Sequence, residues 1–148
     1  MIDFKALRKK VKDARINTES ASSEGNEVAT VSIIRGKLAH AEDDSDRFEL
    51  MGMIAEEYAR SGHFAEERNT IRSLISEFPD MPLAYITYSS YLRNEGGLDA
   101  ALQIAEAGLE KSKAKKSFVR SAYNNLARVA REAGQYELLE SILNRPGF

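Results

Sequence analysis

Tyr123-Asn124-Asn125-Leu126-Ala127 is followed by the turn Ala133-Gly134-Gln135 and then by Tyr136. Tyr123, Leu126, Ala127 and Ala130 stand at i, i+3, i+4 and i+7, the apolar face of one helix. Gly134 ends that helix, because a left-handed residue closes it and glycine adopts that conformation at low cost. Tyr136, Leu139, Ile142 and Leu143 then resume the helical period. The stretch predicts two helices joined by a tight turn.

The same pattern recurs upstream. The breaking glycines are Gly62, Gly96 and Gly134, spaced 34 and 38 residues apart. Two positions after them come Phe64, Leu98 and Tyr136. Eleven before them stand Met51, Tyr85 and Tyr123, eight before them Ile54, Tyr88 and Leu126, and seven before them the small residues Ala55, Ser89 and Ala127. A periodicity of this length marks stacked helical hairpins. The hairpins span about 48–81, 82–115 and 117–148, with Pro79-Asp80-Met81-Pro82 separating the first two. Lys111-Ser112-Lys113-Ala114-Lys115-Lys116 reads as a solvated loop carrying the four extra residues before the third.

Residues 1–46 precede this array. Phe4, Leu7, Val11 and Ala14 form one apolar helical stripe opposite lysines and arginines. Residues 17–26 are small and polar, and read as a loop. Residues 27–42 fit a helix through Val28, Val31, Ile34, Leu38 and Ala41, while Val31-Ser32-Ile33-Ile34 also suits a strand. The helix is adopted, because a lone strand would have nothing to pair with. Asp43-Asp44-Ser45-Asp46 supplies the turn and N-cap before the first hairpin.

The repeat resembles the tetratricopeptide family, a 34-residue helical hairpin with a large, an apolar and a small residue in its first helix and a glycine at its turn. Tyr58 and Pro79 match the family's tyrosine and closing proline in the first hairpin, and Tyr123-Asn124-Asn125-Leu126-Ala127 is similar to its first-helix string. Ala101 fits the small position early in the second helix, whereas Glu67 and Leu139 depart from it. The resemblance implies an all-α fold, a right-handed superhelix of three hairpins, with residues 1–46 as an N-terminal cap. It also implies a concave binding face built by the first helix of each hairpin. Carried over position by position, that face takes Glu49, Gly52, Glu56 and Arg60 from the first hairpin. Ile86, Ser90, Arg93 and Asn94 come from the second, and Asn124, Arg128 and Arg131 from the third. The family's carboxylate clamp needs lysine and asparagine where this chain has Gly52 and Glu56, so a chaperone C-terminal peptide is not the expected ligand.

Chemistry-bearing patterns are sparse. The chain has no cysteine, which excludes disulfides, thiolate metal sites and cysteine nucleophiles. Gly96-Gly97 lacks the strand and lysine of a phosphate loop. His40 and His63 are far apart, so no metal or cofactor is expected. Glu56-Glu57 and Glu66-Glu67 diverge by about 100° on a helix and read as solvated faces. Ser89-Ser90 has no histidine near it in sequence. Met51, Met53 and Met81 read as packing residues, as do Tyr85, Tyr88 and Tyr91. A non-enzymatic chain is expected.

Charge is distributed unevenly: residues 1–16 carry +4, residues 17–110 carry −11 and residues 111–148 carry +5, for a net −2. Overall acidity speaks against a dedicated nucleic-acid binder. No apolar run reaches the length of a membrane span, and Met1-Ile2-Asp3-Phe4-Lys5 lacks a signal peptide's apolar core. A cytoplasmic protein is the expectation. Two functions fit: an adaptor holding a partner protein or peptide on the concave face, its ligand acidic at the Arg128/Arg131 end, or a small inhibitor, such as an immunity protein, that neutralises a toxin enzyme. Leu138 and Ile142 on the last helix are expected to be available for a further contact, including a homodimer.

Overall fold

A computed structural model describes residues 1–18 and 28–145. Eight helices follow one another: α1 Phe4–Thr18, α2 Ala29–Leu38, α3 Asp44–Arg60, α4 Phe64–Glu77, α5 Pro82–Asn94, α6 Leu98–Lys115, α7 Val119–Glu132 and α8 Tyr136–Leu143. No strand occurs among the described residues, so residues 29–38 settle as helix. The expected loop 17–26 is corrected at its first two residues. Residues 17 and 18 close α1, and residues 19–26 lie outside the described residues. Two compact units are present, Met1–Ser73 and Leu74–Phe148, with the boundary inside α4.

In unit 1, α2 packs against both α1 and α3. Leu7 and Val11 of α1, Val31 and Ile34 of α2, and Leu50, Ile54 and Tyr58 of α3 form one buried cluster. Each fully buried aliphatic side chain here contributes about 1.5–3 kcal/mol. Asp43 starts α3, its Oδ1 accepting from the Ser45 N–H at 2.7 Å. Asp44 and Asp46 add negative charge to the first turn, where the helix dipole favours it.

In unit 2, α5 packs on α6 and α7, α6 on α7, and α7 on α8. Ala101, Ala105, Leu109, Ala122, Leu126, Ala127, Val129 and Ile142 form its core. The α5–α6 approach is close because Gly108 faces Tyr85; a Cβ there would lie 2.8 Å from the Tyr85 Cβ. Asn125 joins three helices. Its Nδ2 donates to Ser89 Oγ at 3.1 Å, Ser89 Oγ donates to the Ala101 carbonyl at 2.9 Å, and Ser90 Oγ donates to Asn125 Oδ1 at 3.3 Å.

Gly62, Gly96 and Gly134 all have positive φ, at 79°, 83° and 72°. Their turns close alike, with the residue after each glycine donating back to Tyr58, Leu92 and Ala130 at 2.8–2.9 Å. The long spacing between the last two glycines is not a loop insertion. α6 has 18 residues against 14 in α4, so the extra four residues form one more helical turn. Lys111–Lys115 are therefore helical, a correction to the loop reading. The chain then reverses at Lys116 and Phe118, both left-handed at φ 54° and 57°. Phe118 is the N-cap of α7 and 47% exposed.

Expectations about other apolar residues are corrected. Phe64 and Tyr136 are 64% and 68% exposed. Each is the first residue of its helix, where the side chain projects beyond the packed face. Ile142 is fully buried in the unit 2 core, so it is not open to a partner, and Leu138 is partly buried against that core; Tyr136 and Leu143 are the exposed apolar residues of α8.

Candidate functional site

The nine polar residues assigned to a binding face divide between the two units. Glu49, Glu56 and Arg60 lie on α3 of unit 1. Ser90, Arg93 and Asn94 lie on α5, and Asn124, Arg128 and Arg131 on α7, which packs directly on α5.

In unit 1 the face is largely engaged by the chain itself. Arg8 Nη2 donates to Glu49, and the Arg8 guanidinium also stands 5.6 Å from the Phe4 ring centre. Glu57, read as a solvated acid, is instead only 3% exposed. Arg15 Nε lies 2.9 and 3.0 Å from its two oxygens, Arg15 Nη2 also donates to Oε1, and Thr30 Oγ1 donates at 3.1 Å. The bond to Glu57 holds the Arg15 guanidinium above its already high ordinary pKa, against the opposing effect of burial. Arg60 stands 3.9 Å from Glu57, at the edge of the cluster. Arg8 with Glu49 and Arg15 with Glu57 advance together along the two helices, so α1 runs parallel to α3. Glu56 is the exposed acid of this face.

In unit 2 the pattern is different. Ser90 is committed to Asn125, and Arg93 Nη1 donates to Glu132 Oε1 at 2.8 Å. These bonds tie the adjoining faces of α5 and α7. Arg93 Nε is buried with no hydrogen-bond partner among the described residues. Asn94, Asn124, Arg128 and Arg131 are exposed. Neither Arg128 nor Arg131 forms an ion pair among the described residues. Glu132, the one acid within helical reach of Arg128, is taken by Arg93.

Sequence reasoning missed Arg120. It is exposed and stands four residues before Asn124, which is the signal that could have found it. It also missed the surroundings of Tyr123. Arg145 Nη1 donates to the Tyr123 hydroxyl at 3.1 Å, and the Arg145 and Lys113 cations stand 5.6 and 5.8 Å from the ring centre. The bond from Arg145 favours the phenolate and lowers the Tyr123 pKa below the usual tyrosine range.

The serine and histidine motifs take structural parts. Ser89 is buried and bonded to α6, and His63 Nδ1 lies 2.9 Å from Ser61 Oγ beside the Tyr58 ring. Among the described residues no group of three His, Asp or Glu could hold a metal ion. Two lysines of the 111–116 run meet acids, Lys111 with Asp80 at 3.4 Å and Lys113 with Glu110 at 3.6 Å. A scan against protein-family models finds no match, and a search of curated proteins finds no relative.

Proposed function

We propose that this chain is a non-catalytic protein-interaction module of tetratricopeptide-like hairpins, and that it binds a partner protein or peptide on the α5–α7 face. The observation that carries the reading is the contrast within that face. Arg93 and Glu132 neutralise each other, while Arg128 and Arg131 remain exposed with no ion pair among the described residues. Arginine forks recognise carboxylates bidentately and recur as interface anchors. The left-handed glycines and the order of helix contacts in unit 2 support the repeat reading.

The test is to replace Arg128 and Arg131 together by alanine and measure capture of the native partner. Binding is expected to weaken by more than about tenfold, since each charged hydrogen bond contributes about 1.5–3 kcal/mol. The melting temperature should stay within a few degrees, because both side chains are on the surface. A partner held as tightly by the double variant as by the parent would refute the site. A single tight enzyme partner that loses activity on binding would favour the inhibitor role over the adaptor.

A further inference from the structure

Arg120, Asn124, Arg128 and Arg131 fall on one stripe of α7. At 100° per residue they lie within an arc of about 80°, and they extend along about 16 Å of the helix axis. All four are exposed. The three arginines form no ion pair among the described residues. The positions three and four away from Arg120 and Arg131 carry no acid, and those around Arg128 carry only Glu132, which Arg93 engages. Three like charges in a row without counter-charge repel one another, so an anionic ligand gains from all of them.

The spacing says which anion fits. Arg120, Asn124 and Arg128 are four residues apart, a rise of about 6 Å per step. In an extended peptide every second side chain points the same way, about 6.6 Å apart. A segment with acidic residues at alternate positions therefore presents all its carboxylates to the stripe. Asn124 sits between two arginines and can donate its amide to a backbone carbonyl of such a segment. A nucleic-acid strand fits less well. The stripe carries no aromatic platform for bases, Tyr123 being held by Arg145.

We infer that the α7 stripe is a docking ladder for an extended acidic segment of a partner protein, with acids at alternate residues. This rests on the proposed α5–α7 binding face and adds Arg120 to it.

Two fluorescein-labelled peptides of equal composition test it by anisotropy with the full chain. One alternates Glu and Ser; the other has its glutamates in a block followed by its serines. A single-stranded oligonucleotide of similar charge is the third probe. The alternating peptide should bind at least about tenfold tighter than the block peptide, and Arg120→Gln and Arg128→Gln should each weaken it by about tenfold. Raising the salt should weaken it too. Equal binding of the two peptides, no binding of either, or tighter binding of the oligonucleotide would overturn the ladder. Unchanged melting temperatures keep the variants interpretable. If the native partner still depends on Arg128 and Arg131 while the alternating peptide fails, the ladder falls and the binding face stands. If the partner ignores both arginines, the face itself falls.

Discussion

Glu57 shows how much a single residue can depend on its neighbours. Read in sequence it is one of two adjacent acids on a helix; in the fold it is the buried one, 3% exposed, and Glu56 is the exposed one. Burying a carboxylate is costly unless it is paired and hydrogen-bonded. Arg15 and Thr30 supply both conditions. Arg15→Ala would leave the carboxylate with Thr30 and a distant Arg60, and should destabilise the chain by about 1.5–3 kcal/mol. The lower part of that range is expected, since the Arg15 side chain is 35% exposed and its pair is partly screened. Chemical denaturation should show a reduced midpoint. An Arg15→Ala midpoint equal to the parent's would mean that water enters and solvates Glu57.

At the scale of elements, small residues set how closely the helices approach. Gly108 lets α6 sit against Tyr85, and Ala127 is buried in the core where α7 meets its neighbours. Gly108→Ala brings a Cβ to 2.8 Å from the Tyr85 Cβ, and Ala127→Leu adds three carbons to a full core. Each should cost about 1–3 kcal/mol through backbone displacement. Lys115→Ala, by contrast, should change stability by less than about 0.5 kcal/mol. Lys115 lies in the last turn of α6, exposed, where its loss removes only a weak interaction with the helix dipole. Thermal melts of the three variants check this directly, and similar melting temperatures for all three would contradict the packing described for α5, α6 and α7.

At the scale of the whole molecule, charge is handled differently in the two units. In unit 1, basic α1 lies along acidic α3, and Arg8 and Arg15 answer Glu49 and Glu57. In unit 2, Arg120, Arg128 and Arg131 of α7 form no ion pair among the described residues. α1 is therefore both a charge partner and a cover, since Leu7 and Val11 bury Leu50 and Ile54 with α2. Deleting residues 1–18 should remove about 1.5–3 kcal/mol for each of those two side chains. Amide exchange in α2 and α3 should then accelerate and apolar dye should bind. Unchanged exchange in both helices would show that α1 is dispensable. No helix is long and apolar enough to cross a membrane among the described residues.

The all-helical class and the three left-handed glycines were legible in the chain itself. They rest on local physics: a period of 3.6 residues, the N-cap at Asp43 and the low cost of positive φ at glycine. Two of the stripe's arginines and Asn124 were legible too, through the repeat register, because register places residues on a face without knowing their partners. The tertiary structure decided which charges are used. Glu57 is buried and Glu56 is not, Arg93 is neutralised by Glu132 and Arg128 is not, and four extra residues became a helical turn rather than a loop. Each of these depends on residues 27 to 42 positions away in the chain or on the length of a neighbouring helix. Periodicity cannot encode such pairings, because an ion pair forms only where packing has already brought the two side chains within a few ångströms.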